Sequence, residues 1–146
     1  MQEPAAPDCP IRRFEIPRAG GGKLRFTGKI VARHQLMPRD GAPGYAAALY
    51  DARRGEAVVE LRVMHRPGAD PSVMGWRASS RAAALDILLS HDAADDVSVD
   101  FDPEDPGFGP AELAARAFDL RARIVRARQA LLHLADTLAE AAGEGR

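Results

Sequence analysis

At 146 residues, with 46% apolar and 28% charged side chains, the chain has the length and composition of one globular domain, which excludes both a disordered polymer and a pair of full-sized cores. Net charge is only −1, but that total averages blocks of opposite sign. Residues 11–81 hold fourteen Lys or Arg against six acids, and residues 82–110 hold eight acids and no base.

A single cysteine, Cys9, excludes an internal disulfide framework and fits a reducing compartment. The opening "MQEPAAPDCP" lacks a basic segment followed by an apolar run, and no stretch approaches the roughly 20 apolar residues of a membrane span, so a cytoplasmic protein without membrane contact is expected. Residues 1–10, with three prolines, read as a flexible N-terminal tail, and 11–146 as a single α+β domain.

Strand signals begin at once. "IRRFEIPR" (11–18) turns through "AGGG" into 23–34, where Leu24, Phe26, Ile30 and Ala32 alternate with Arg25, Thr27, Lys29 and Arg33. "YAAALY" (45–50) joins 57–66 through "DARRGE", a short hairpin connection with Gly55 free to take positive φ. In that fourth strand Val59, Leu61 and Val63 point one way and Glu60, Arg62, Met64 and Arg66 the other, and "SVMGWRA" supplies a fifth. Ser79 or Ser80 caps a short helix with Leu85, Leu88 and Leu89 on its apolar face, ending near His91. "VSVDF" (97–101) alternates as one further strand, "DPEDPGFGP" breaks the chain, and Pro110 suits the first turn of a long amphipathic helix over 110–142. The predicted fold is α+β: an antiparallel β-meander of about five strands, a short helix, one further strand and the long C-terminal helix.

The stretch His91–Gly109 packs seven carboxylates into nineteen residues. Asp100, Asp102 and Glu104 match the first calcium-loop positions, but Asp105 stands where the sharp turn needs Gly, and Ala111 where a bidentate Glu belongs. A looser divalent site from Asp92, Asp95 and Asp96 near His91 competes with a solvated acidic loop, which is the commoner outcome. "GFG" lacks the third glycine of a dinucleotide loop and follows four carboxylates that would repel phosphate, while "GGGK" is a turn between strands. The cheapest relief for so many carboxylates is a basic neighbour, so these acids are expected to face arginines; no metal or cofactor is expected.

Along the last helix, Leu113, Ala117, Leu120, Ile124, Ala127, Leu131, Leu134, Leu138 and Ala141 form an unbroken 3,4 seam, and Phe118, Val125 and Leu132 form a second row that widens the apolar face. Arg116 and Arg123 flank the seam on one side, Arg121 and Arg128 on the other. The seam either docks on the chain's own sheet, where the acidic stretch would use the arginines, or mediates self-association. The residues expected to carry such docking are Leu120, Arg121, Ile124, Arg128, Leu131, Leu134 and Leu138.

If Leu24, Phe26 and Ile30 join Val59, Leu61 and Val63 inside, Arg25, Lys29, Arg33, Arg62 and Arg66 share the outer sheet face. Arg53 and Arg54 stand at a hairpin tip, and Trp76, Tyr45 and Tyr50 offer stacking surfaces, the ingredients of a single-strand nucleic-acid or anion site. For catalysis, His34, His65, His91 and His133 are dispersed without ligand spacing, and Ser79 and Ser80 are better explained as a cap than as nucleophiles. The expectation is a non-enzymatic binding or accessory protein acting through protein–protein contacts between charge-complementary patches. The alternatives are a single-stranded nucleic-acid-binding module on the Arg-rich sheet face and, behind it, a small enzyme whose site is assembled from distant residues.

Overall fold

The alternation and the turns organise a five-stranded antiparallel sheet in the computed structural model, which describes residues 11–66 and 68–143; the N-terminal tail read over 1–10 lies outside them. Strands β1 (Arg12–Pro17), β2 (Lys23–Leu36), β3 (Gly44–Ala52), β4 (Ala57–Met64) and β5 (Ser72–Ala78) each pair with the next, and helices α1 (Arg81–Leu89) and α2 (Pro110–Ala141) follow. The fold is therefore the α+β meander that the alternation predicts. The β3–β4 hairpin turns through a 3-10 turn at Arg53–Gly55, where Gly55 takes φ +77° and Arg54 is itself left-handed at +63°.

A register shift in β2 sends its two halves to different places. Ile30 lies opposite Tyr50 and Ala32 opposite Leu49, so Val31 is an extra residue, a β-bulge. Before it, Leu24, Phe26 and Ile30 lie on the face of Tyr50, Ala48 and Val58; after it, Ala32 joins Leu49, Ala47 and Tyr45. This corrects the expectation that Leu24, Phe26 and Ile30 share a face with Val59, Leu61 and Val63. Alternation carries a single phase along a strand, and one inserted residue inverts it.

The sheet consequently has two cores. One lies beneath the helices, where Tyr45, Leu49, Val59 and Leu61 meet Leu85 and Leu88 of α1 and Ala127, Leu131, Leu134 and Leu138 of α2. The other lies inside the curl of the sheet, where Ile16, Leu24, Phe26, Tyr50 and Val58 pack together and the rings of Phe14, Phe26 and Tyr50 stand 4.8–5.3 Å apart. The curl is tight enough for the end of β1 to reach β5, with the Ala19 amide donating to the Gly75 carbonyl at 3.0 Å. A Cβ at Gly75 would stand 2.5 Å from Ile16 Cδ1 and 2.9 Å from the Pro17 carbonyl oxygen, so glycine is what lets the two strands approach.

Ser80 caps α1, its hydroxyl accepting from the Ala83 amide at 3.1 Å. The segment "VSVDF" is not a strand: it leaves a 3-10 turn at Ala93–Asp96 and joins no ladder. Its alternation is spent on one inward side chain, Val97, while Val99 stays exposed, and the Ser98 carbonyl accepts from the Arg123 guanidinium instead of from a neighbouring strand. Helix α2, about 48 Å long at 1.5 Å per residue, buries its seam fully only from Ala127 to Leu138; in its first turns Leu113 and Leu120 are only half-covered and Ala117 is exposed.

One ion pair ties three elements together. Arg81 donates from Nε and Nη2 to the two carboxylate oxygens of Asp51 at 2.8 and 2.7 Å, and from Nη1 to the Ala142 carbonyl at 2.8 Å, joining the start of α1, the end of β3 and the end of α2. These hydrogen bonds hold the Asp51 carboxyl below its ordinary value of 3.8 against an opposing effect of burial. A depressed carboxyl stabilises the fold above its unfolded-state pKa and loses that contribution as pH falls through the folded value. Arg81→Met should therefore lower stability near neutral pH by about 2 kcal/mol, and in urea unfolding the gap to the parent should narrow as the pH is taken below 3.8. A gap unchanged between pH 7 and pH 2.5 would contradict this reading of the clamp.

Candidate functional site

The concave side of the curled sheet is lined by alternating residues of four strands. Past the bulge, Arg33 stands opposite Ala48 on this side; Glu60 and Arg62 project to it from β4, and Arg12 and Phe14 from β1. Together they frame a cleft of about 740 Å³, with Ile16, Ile30 and Tyr50 as apolar floor. Arg62 Nε lies 3.6 Å from the almost fully buried Glu60 carboxylate. The Arg12 guanidinium sits 4.8 Å over the Phe14 ring, and Arg33 makes no ion pair or side-chain hydrogen bond among the described residues. Burial, and then the nearby Glu60 carboxylate, push the Tyr50 phenol up, with the three arginines opposing, so it remains a protonated donor at neutral pH.

The bases expected on one face are divided between two. Arg25 and Lys29 lie on the opposite side from Arg33 and Arg62: Arg25 donates to Glu15 at 2.7 Å, and Lys29 stands opposite Asp51. Arg53 and Arg54 are exposed at the hairpin tip, and Arg66 is exposed beyond the end of β4. Trp76 packs against the helix-side core opposite Val59, away from the cleft, while Tyr45 and Tyr50 are buried. Arg12 was not singled out by the sequence reading, although the alternation Arg12, Phe14, Ile16 places it beside those two apolar residues. Glu60, an acid inside the apolar run "AVVELRV", was already placed on one side with Arg62 by the alternation of that strand.

On α2, Leu131, Leu134 and Leu138 are buried against the chain's own sheet, and Leu120 and Ile124 are partly covered by the same core. Arg121 and Arg128 remain exposed. Of the other flanking pair, Arg116 lies 5.3 Å over the Phe108 ring, while Arg123 is buried. Arg123 Nη2 reaches Asp100 at 3.1 Å, and its Nε lies 3.2 Å from Asp119 but out of line for a hydrogen bond. Gly41, at φ +77°, makes room for the Arg123 stem, since a Cβ there would stand 2.7 Å from Cδ. The second row does not widen the docked face: Phe118, Val125 and Leu132 are 74%, 44% and 52% exposed.

The acidic stretch is satisfied mostly by its own backbone. Asp92, Asp102 and Asp105 accept from the amides two residues ahead, at 3.0, 2.9 and 2.8 Å. Such local turns compete with long-range pairing, and among the described residues Asp100 alone of these acids meets an arginine. No three of His, Cys, Asp and Glu gather closely enough to hold a metal among the described residues. Asp96 is the exception in depth: its Oδ2 accepts from Tyr45 Oη at 2.7 Å and lies 2.7 Å from His91 Nε2, while His65 Nδ1 stands 3.3 Å from its carbonyl oxygen. Burial, and then this hydrogen bond, push the Tyr45 phenol up. Tyr45 Oη and Asp96 Oδ2 are bonded to each other within the core, so the arrangement pins the turn after α1 to β3.

Compared with protein-family models, curated proteins and solved structures, the chain matches none. No helix among the described residues is long and apolar enough to cross a membrane.

Tyr45→Phe removes one donor from the buried Asp96 carboxylate and should cost about 1–3 kcal/mol in chemical denaturation. A variant within 0.5 kcal/mol of the parent, the range of neutral surface changes, would show that the hydrogen bond does not pin the turn.

Proposed function

We propose that this protein is a binding module that captures an amphipathic helix with acidic edges from a partner protein, along the outward face of α2. The observation that carries this is the row Phe118, Val125 and Leu132, exposed and seven residues apart on the helix that docks by its other side. Positions seven apart drift only about 20° round a helix, so the three side chains form one stripe, continued by Ala111, Ala115, Ala122 and Gln129 at 4,3 spacing. Large exposed apolar side chains aligned on a rigid element mark contact surfaces more than scattered ones do.

Charge selects the occupant. Arg121 and Arg128 border one edge of the stripe and Arg126 the other, which it shares with Glu112 and with Asp119, the latter 3.2 Å from Arg123 Nε, and none of the three arginines meets a carboxylate among the described residues. Two copies of α2 meeting along this stripe would oppose arginine to arginine: Arg121 and Arg128 against Arg126 if parallel, against each other if antiparallel. A helix with Leu at its seam and Glu at its edges meets neither conflict. Full burial of a Phe, Val or Leu side chain contributes about 1.5–3 kcal/mol, against an association cost of about 4–15 kcal/mol, so the contact is of the transient, salt-sensitive kind.

The single-strand reading gains no comparable support, because the bases it needs lie on two sides of the sheet and Arg25 is paired to Glu15.

The test is fluorescence anisotropy with a labelled synthetic helix carrying Leu at the seam and Glu at both edges, beside the same peptide with Lys for Glu. The acidic peptide should bind and weaken with salt, the basic one should not, and Phe118→Glu should reduce binding at least thirtyfold, about 2 kcal/mol. Equal binding of the two peptides, no binding of either, or a homodimer that Phe118→Glu dissolves would each overturn the proposal.

A further inference from the structure

From the concave cleft we infer a second, independent binding site, for a small organic molecule that carries an oxyanion, carboxylate or phosphate, on an apolar body. The charge balance points to an anion. Arg12, Arg33 and Arg62 line the cleft, and among the described residues Glu60 is the one acid whose carboxylate opposes them there; Glu15 reaches the rim, but its carboxylate is taken by Arg25 and Lys23 at 2.7 and 3.2 Å. Like charges brought together on neighbouring strands repel one another, and an anion between them relieves this. Guanidinium groups offer paired N–H donors that match the two oxygens of a carboxylate or phosphate. Among the described residues Arg33 is fully available for that role, and Arg12 presents its flat face to Phe14 with no ion pair or side-chain hydrogen bond on its N–H edge.

The floor points to the apolar body. A bare ion needs no hydrocarbon surface, yet beneath the arginines lie Phe14, Ile30 and Tyr50. The cleft volume of about 740 Å³ falls within the 300–1,000 Å³ of small-molecule sites. Glu60 adds a specificity element: almost fully buried and only 3.6 Å from Arg62, it is placed to accept from a hydroxyl or amine on the ligand and to repel a second negative charge on that side. The site uses no residue of the α2 stripe, so the two proposals stand or fall separately. In the other polar cluster, Tyr45 and Asp96 are buried and bonded to each other, with His91 2.7 Å from the same Asp96 oxygen.

The experiment is an amide-shift NMR titration of the intact chain with 4-phenylbutyrate, 3-phenylpropyl phosphate, the neutral 4-phenylbutanamide and inorganic phosphate. Saturable shifts are expected at Arg33, Ala48, Tyr50 and Glu60 with at least one of the two amphiphilic anions, the tighter of them identifying the oxyanion. The amide and inorganic phosphate should each bind at least tenfold more weakly. Arg33→Met should weaken the anion at least tenfold with an unchanged melting temperature, and Phe118→Glu should leave it unaffected. Absence of shifts at millimolar concentration with both anions, equal binding of the amide, or full binding by a folded Arg33→Met variant would each refute the site.

Discussion

The structure turns on one inserted residue. Were Val31 paired in a regular ladder instead of bulged out, the face of β2 that carries Leu24, Phe26 and Ile30 would continue through Ala32 and His34, and a single apolar surface would be asked to face both the inside of the curl and the helices. The bulge divides the work. The first half of the strand fills the curl with Tyr50 and Val58, while the second half presents Ala32 to α2 and brings the His34 ring to 6.2 Å from His133. The same inversion sends Arg33 into the cleft, where an uninterrupted strand would have sent it toward the helices. Bulges also sharpen local twist, which favours the curl that lets Ala19 bond to Gly75.

The fixed position of α2 has a parallel logic. Its C-terminal seam is anchored by leucines, but the point where the helix leaves the sheet is set by Arg123, lodged between Asp100, Asp119, the Ser98 carbonyl and the space above Gly41. A buried guanidinium left without these partners would be costly, so Arg123 fixes rotation about the helix axis as much as it stabilises the packing. Rotation is what decides which face of α2 is left for the proposed partner. With the seam inward and Arg123 locked, Phe118, Val125 and Leu132 have to face outward, edged by the three arginines that the acidic stretch does not reach.

Much of this was legible in the sequence. Two-residue alternation marked β2 and β4, short apolar segments between turn signals marked the other three strands, "DARRGE" marked the hairpin, Ser79 or Ser80 the start of α1, and Pro110 with the 3,4 seam the long helix. The bulge was not legible, because Ile30, Val31 and Ala32 are all apolar and alternation there admits either phase. Nor was closure of the curl, which depends on Gly75 meeting Ile16 from a strand distant in the sequence. "VSVDF" misled because period-two spacing needs a ladder partner, and Ser98 gives its carbonyl to Arg123 instead. The acids misled for a related reason. Counting charges takes no account of the backbone amides two residues on, which Asp92, Asp102 and Asp105 use before any arginine comes within reach.

The most direct test of the account is the strand pairing around Val31, read from inter-strand backbone NOEs between β2 and β3. The bulged register predicts Arg33 opposite Ala48 and His34 opposite Ala47, together with contacts from the His34 ring to His133. An uninterrupted ladder, with Ala32 opposite Ala48 and Arg33 opposite Ala47, would turn Arg33 away from the cleft, remove the division between the two cores and contradict the account at its base.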